Sequence, residues 1–316
     1  VAIKFERSYE LRVQREDATF RVIKNPLTVK FNIQRNNLLS VNSAQFDIIN
    51  LNPTSRKEIR RDEWNLKYDK RVLFMAGYQD NMSICFNGMV QQAYSVREGV
   101  DFVTHIEGFD NPIAVKQTPF SKEYRKGQTY QTLMNDIVGA LAINGVKRGA
   151  ISNRYFIPSK NISTTLDQLA FQKDVTISGY ALDIARAYFG PKAYVDNSTI
   201  NYLNEDEYAR ASLEVISSDT GLLGTPRQSN QTVYVDILFQ PGFSCGQKIT
   251  LDSIEGLEYE KTDNRPLPRN PNFNGDYRIM GITHKGVISD AIGGEAVTTL
   301  ALLKFVNRPL EVKVGE

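Results

Sequence analysis

The 316-residue sequence predicts an α+β protein that is mainly β, with two similar antiparallel β-barrel domains, residues 1–111 and 205–316, flanking a small mixed α/β domain, residues 112–204. Three observations carry this expectation. Apolar and polar residues alternate through much of the first hundred positions, the period-two signature of half-buried strands. Helix-period segments concentrate in the middle. The last third returns to strand patterns and echoes the first in motif and in order.

Residues 28–34 place Val29, Phe31 and Ile33 on one face, residues 44–49 alternate in the same way, and residues 72–78 form a more fully apolar run. Residues 83–96 and 99–106 read as two strands joined by a turn at Arg97, Glu98 and Gly99. One helix interrupts this β region: Asn52, Pro53, Thr54 and Ser55 supply a cap and a first-turn proline ahead of residues 56–64. Residues 56–71 carry seven basic and four acidic side chains, which suits either a solvated helix and loop or a contact between subunits. Arg56, Lys57, Arg60, Arg61 and Trp64 are the candidate contact residues.

The character changes at Asp110, Asn111 and Pro112. Residues 113–118 look strand-like and lead into a polar linker, residues 121–127. Residues 129–142 read as a helix with Leu133, Ile137, Val138 and Leu141 on one face, and a second short helix spans residues 180–188. Asp196, Asn197 and Ser198 join two short strands as a tight hairpin. A polar break begins at Glu205, Asp206 and Glu207. Strands then follow at residues 232–239, 247–251, 277–284 and 296–305, with a Pro- and Asn-rich loop expected over residues 261–274. Phe86-Asn87-Gly88 precedes Val103-Thr104 by 15 residues, and Phe273-Asn274-Gly275 precedes Val297-Thr298 by 22. With the matching strand order, this echo points to duplication of a barrel.

Composition excludes several functions. Lys and Arg total 38 against 36 Asp and Glu, a balance unlike that of a dedicated nucleic-acid binder. Cys85 and Cys245 are too few for a disulfide framework, lack metal-ligand spacing, and read as small buried apolar residues. No apolar run is long enough to span a bilayer. There is no nucleophile elbow, phosphate loop, dinucleotide fingerprint or zinc-protease motif. Gly221-Leu222-Leu223-Gly224 reads as a turn. Glu255, Glu258 and Glu260 cluster without the cleft and aromatic platform that glycoside hydrolysis needs. His284, following Met280 and Ile282 on the alternating pattern, reads as a packed strand residue rather than a general base. No catalytic, cofactor or metal residues are assigned, and a structural protein that is not an enzyme is expected.

Taken in order, these pieces resemble the baseplate hub of contractile-tailed bacteriophages. The likeness lies in Phe31 and Ile33, then residues 44–51 running into Asn52-Pro53-Thr54, then Ala76-Gly77-Tyr78 followed by Phe86-Asn87-Gly88. It continues through residues 129–141, Ser178-Gly179-Tyr180-Ala181 and Tyr194-Val195-Asp196-Asn197. The C-terminal pieces are residues 220–226, Asn274-Gly275-Asp276-Tyr277 and Ile282-Thr283-His284-Lys285-Gly286.

The resemblance implies two tube-forming barrels per chain and a homotrimeric ring of pseudo-sixfold symmetry. That ring adapts a hexameric tail tube to a trimeric central spike within the virion baseplate. It also implies the tail tube, spike, baseplate wedge and tape measure proteins as partners, with DNA only in transit through the lumen, synthesis in the host cytoplasm, and no membrane. Because the sequence stops shortly after the last barrel strand, the spike is expected to be a separate polypeptide. Lumen-facing strands are expected to be mixed or mildly acidic. Two alternatives share parts of this pattern: the hub of a contractile injection device without a genome, and a wall- or glycan-binding tail component, the latter weakened by the single tryptophan.

Overall fold

The structure, a computed structural model, describes residues 6–37, 42–61, 70–79, 81–110, 117–157, 162–253, 258–259, 273–290, 294–304 and 310–311. The first part holds β1 (Arg7–Gln14), β2 (Phe20–Lys24), β3 (Val29–Asn36), β4 (Ser43–Ile49), α1 (Pro53–Ile59), β5 (Arg71–Tyr78), β6 (Asn81–Glu98) and β7 (Asp101–Phe109). The middle holds β8 (Pro119–Tyr124), α2 (Tyr130–Ile143), β9 (Lys147–Ile151), β10 (Arg154–Ile157), β11 (Ile162–Thr165), β12 (Val175–Tyr180), α3 (Ala181–Phe189), β13 (Ala193–Asp196) and β14 (Thr199–Tyr202). The last part holds β15 (Glu207–Tyr208), β16 (Ala211–Ile216), β17 (Leu222–Ser229), β18 (Thr232–Leu238), β19 (Lys248–Leu251), β20 (Glu258–Tyr259), β21 (Gly275–Ile288), β22 (Ala296–Lys304) and β23 (Leu310–Glu311).

Fourteen strands join into one sheet in the order β2-β1-β5-β6-β7-β4-β3-β21-β22-β18-β17-β20, with β19 beside β21 and β16 beside β19. This corrects the expectation of two closed barrels: among the described residues, no strand pair closes either half. The edge of β3 that would close the first half is instead taken by β21, antiparallel, from Val29–Ile288 to Asn36–Gly281. The first half still curls around a core, because its inward residues are large and apolar. Phe74 sits among Tyr9, Phe31 and Phe46, with ring centroids 4.9–6.1 Å apart, so β1, β3, β4 and β5 face one another across that core.

The two parts of the sheet repeat one pattern. In sheet order, β1-β5-β6-β7-β4-β3 corresponds to β16-β19-β21-β22-β18-β17, and the chain visits both sets in the same sequence. A one-residue bulge interrupts β6 against β7 between Val90 and Gln92, and another interrupts β21 against β22 between Ile279 and Gly281. Counted from these bulges, Val103-Thr104 falls on Val297-Thr298, and Asp47-Ile48 falls on Asp236-Ile237. A side-chain hydrogen bond recurs at the same cross-strand pair, Ser95–Thr104 at 3.0 Å and His284–Thr298 at 2.9 Å. One strand departs: β1 is antiparallel to β5, whereas β16 is parallel to β19.

The Phe-Asn-Gly echo is less faithful than the register. Phe86-Asn87-Gly88 lies inside β6, whereas Phe273-Asn274-Gly275 opens β21, so the two tripeptides sit two residues out of alignment. The rest of the spacing difference is in the hairpin loops, Gly99-Val100 in one and residues 289–295 in the other. Gly99 has φ +63°, the left-handed conformation that glycine adopts without strain.

The middle segment has its own core. Leu133, Met134, Ile137, Val138 and Leu141 of α2 are buried against Leu182, Ile184 and Ala185 of α3 and against Ile200 and Tyr202 of β14. Residues 121–124 of the expected polar linker, residues 121–127, belong to strand β8, which pairs with β12. Phe120 and Tyr124 point inward while Lys122 and Glu123 meet solvent, which hid the strand in a charged stretch. The expected turn at Gly221–Gly224 also differs: Leu222 starts β17, and Gly224, with φ +64°, lies in a break of its register against β18. The polar break at 205–207 contains a buried carboxylate, since Glu207 accepts from Ser152 at 2.8 Å and from the Asn204 backbone at 2.9 Å. The expected loop over residues 261–274 lies mostly outside the described residues, as do Glu255 and Glu260. No helix among the described residues is long and apolar enough to cross a membrane.

Candidate functional site: the joint and the concave face

Three parts of the chain meet at Arg35, the residue near the end of β3. Its guanidinium donates to both carboxylate oxygens of Asp196, at 2.8 and 2.7 Å. It also donates to the Phe243 carbonyl at 3.1 Å and, at 3.4 Å, to the Cys85 carbonyl. One buried cation thus ties the first half, the last third and the β13–β14 hairpin together. That hairpin turns through Asn197 and Ser198, both at positive φ, which a two-residue turn of this kind requires. Asn197 accepts from the Asn87 backbone N–H at 3.1 Å, and Asp196 accepts from that of Cys245 at 3.1 Å. Asn42 reaches both Asp196 and Asp110 at 3.3 Å, and Asp110 accepts from the Ser198 backbone at 2.8 Å.

The electrostatics follow from burial. Desolvation opposes the charge on Arg35, yet the adjoining Asp196 carboxylate outweighs it and holds the guanidinium protonated. Desolvation, with Asp196 alongside, pushes the Asp110 carboxyl up to about 7. Burial raises the Cys85 thiol to about 12 and the Cys245 thiol well above its ordinary value, so both are inert apolar fillers, as their sequence context suggested. Burial, reinforced by the Arg35 charge, lowers His284 to about 3; it is a neutral strand residue bonded to Thr298.

The sheet is concave where β3 meets β21, and a groove of about 1020 Å³ runs across the joint. Alternate residues of the strands face it: Lys30 and Asn32, Gln45 and Asp47, Gln92 and Tyr94, His105 and Glu107, then Thr283, Lys285, Val297 and Thr299. Asp236 and Glu295 complete its charges, so four carboxylates face two lysines and one histidine. Several of these groups are tied to neighbours. His105 Nδ1 lies 2.7 Å from Asp47, Arg227 lies 2.8 Å from Asp236, and Thr299 donates to Asp236 at 2.5 Å. The groove carries charges of both signs, with carboxylates in slight excess. Among the described residues, no group of three or more His, Cys, Asp or Glu could hold a metal ion.

Of the contact residues picked out in the sequence, Arg56, Lys57, Arg60 and Arg61 lie in α1 or directly after it. Ser55 and Ile59 of α1 are buried, and the Arg56 guanidinium stacks 4.1 Å from the Phe102 ring. Lys70 donates to the carbonyls of Glu58 and Arg60, each at 3.0 Å. Arg61 exchanges two backbone hydrogen bonds with Ala93 of β6. Lys57 lies in the last turn of α1, and Trp64 lies outside the described residues. Sequence reasoning missed Arg35, Asn42 and Asp110. It found the Asp196 hairpin as a turn and not as a tie between segments.

A family described as Baseplate hub gp41 matches residues 9–285. The chain belongs to this baseplate hub family. The fold agrees with tail proteins at low sequence identity. A 43 kDa tail protein of prophage MuSo2 from Shewanella oneidensis is 7% identical with a TM-score of 0.56, covering 97% of this chain and 100% of that one. A tail protein from Neisseria meningitidis MC58 is 9% identical with a TM-score of 0.53, covering 94% and 96%. An E. coli component of the type VI secretion system, described as structurally similar to T4 bacteriophage tail proteins gp27 and gp5, is 10% identical with a TM-score of 0.50, covering 91% and 76%. No curated protein sequence matches. Hub membership makes the chain a structural protein of the virion tail baseplate.

Proposed function

We propose that three copies of this chain form a ring with six quasi-equivalent sectors, joining a hexameric tail tube to a trimeric central spike of a contractile tail and letting the genome pass. The observation that supports this reading is the repeated register of the two parts of the sheet; in this reading residues 1–111 and 205–316 are two versions of one tube-type unit, with residues 112–204 as a domain inserted between them. Two such units per chain make three chains equivalent to six positions, which resolves the mismatch between sixfold and threefold partners. The mildly acidic concave face suits a lumen that repels DNA, and the baseplate wedge and tape measure proteins would meet the outer and axial surfaces. Native mass spectrometry of the purified protein, alone and with its spike, should give three hub copies per complex; two, four or six would refute the ring.

The same architecture fits the hub of a contractile injection device without a genome, a reading favoured by the likeness to the E. coli type VI component. Capsid and terminase genes beside the coding sequence would decide for a phage.

Arg56, Lys57, Arg60, Arg61 and Trp64 are proposed as inter-subunit contacts. Reversing Arg56, Arg60 and Arg61 to glutamate should cost the folded monomer roughly 1 kcal/mol through the lost Phe102 stacking. It should nonetheless block particle assembly. Infectious particles carrying all three changes would refute the assignment.

A further inference from the structure

Two buried carboxylates share one cation where the chain leaves the first half for the middle segment. Asp110 directly follows β7 and is 2% exposed, and Asp196, at the end of β13, is 4% exposed. Asn42 bridges them, its amide 3.3 Å from each. Arg35 commits its bidentate contact to Asp196. The other titratable groups of the joint add no positive charge. Burial holds Cys85 of β6 and Cys245 as thiols, Tyr194 of β13 as a phenol, and His284 of β21 as a neutral ring. Arg278 of β21 acts electrostatically on Tyr194, but its guanidinium donates to the carbonyls of Asn204 and Glu207. Among the described residues, the joint thus holds one more acid than base, and an uncompensated buried charge is costly.

The second stem of the middle segment, residues 204–207, is balanced. Glu207 accepts from Ser152 and Asn204, Arg154 lies 2.6 Å from Asp206 and 3.6 Å from Glu207, and Arg278 donates to the Glu207 carbonyl at 3.0 Å. Two arginines there meet two carboxylates. We propose that the Asp110 stem is a proton-operated clasp: protonated Asp110 holds the β13–β14 hairpin against the first half, and loss of that proton loosens the hairpin while the stem at 204–207 stays in place as the pivot. The proton stands in for the missing cation and leaves a carboxyl oxygen to accept from the Ser198 N–H. In the closed joint Asp110 titrates near 7, against 3.8 for an ordinary aspartate. Opening therefore releases a proton between those values, so the opening constant grows by up to about tenfold per pH unit from acid to neutral and is level above. The clasp is tightest in acid. Opening breaks the Asp110–Ser198 bond at 2.8 Å and the Asn87–Asn197 bond at 3.1 Å, so the Ser198 and Asn87 amides report it.

Hydrogen exchange of the full chain at pH 5 and pH 7, wild type against Asp110→Asn, tests this. Taking the ratio of the two proteins at each pH cancels the intrinsic pH dependence of exchange. Between pH 5 and pH 7 that ratio should rise by up to about a hundredfold at the Ser198 and Asn87 amides. At the Glu207 amide and through α2 it should stay constant. A constant ratio at Ser198 and Asn87 overturns the proton, and an equal rise at every site means global loosening and overturns the clasp. Asp196→Asn leaves Arg35 to pair with Asp110, so the rise in opening, measured against Asp110→Asn with Asp196→Asn, should move to lower pH. A rise that stays in the same pH range overturns the shared charge as its cause.

Discussion

Replacing Arg35 with alanine should destabilise the protein by about 3–5 kcal/mol, the usual cost of removing one partner from a buried ion pair. Asp196, nearly inaccessible, would lose its counter-charge and keep Asn42 and the Cys245 N–H as hydrogen-bond donors. The carbonyls of Cys85 and Phe243 would lose a donor at the same time. Because Arg35 links three segments, the loss should uncouple them as well. A single urea transition should split or broaden, and its m-value should fall as the segments cease to unfold together. Removing both charges, as Arg35→Met with Asp196→Asn, should recover part of the loss, because an uncompensated buried charge costs more than an absent pair. If Arg35→Ala keeps the midpoint and m-value of the wild type, Arg35 is not the tie between the segments.

The elements that sequence patterning revealed are those held by local periodicity. Val29, Phe31 and Ile33 alternate because one face of β3 packs into a core, and Leu133, Ile137, Val138 and Leu141 recur at helical spacing for the same reason. The Asp196-Asn197-Ser198 turn was legible from backbone requirements alone. What stayed hidden depends on distant partners. Nothing near Val29 or Ile288 announces that they will pair, because strand edges carry no side-chain signature of their mate. Arg35 falls on the same face of β3 as Val29, Phe31 and Ile33, and the sequence names no counter-charge for it until the hairpin brings Asp196 beside it. The duplication was legible only faintly, because backbone register is kept where side chains are not: Ser95 faces Thr104 in one half and His284 faces Thr298 in the other. The tripeptide echo suggested the right relationship from a pair of segments that are not themselves equivalent.

Asp110 should make the protein less stable as pH rises. Its folded-state carboxyl titrates near 7, while the unfolded chain titrates near 3.8. Between those values the folded state holds a proton that the unfolded state has released, so the slope of stability against pH is negative there, up to about 1.4 kcal/mol per pH unit. The contribution is fully favourable below the unfolded value, falls through this window, and levels off above pH 7. The cause is desolvation, with Asp196 close by and only Ser198, Asn42 and Arg35 to offset it. Asp110→Asn keeps an oxygen to accept the Ser198 N–H and removes the titration. Urea midpoints at pH 4.5 and 7.5 should therefore differ less for the asparagine variant than for the wild type, with the variant gaining most at the higher pH. A wild-type minus variant difference that does not change with pH would mean that Asp110 is ionised in the fold throughout, and that Arg35 neutralises both carboxylates of the joint.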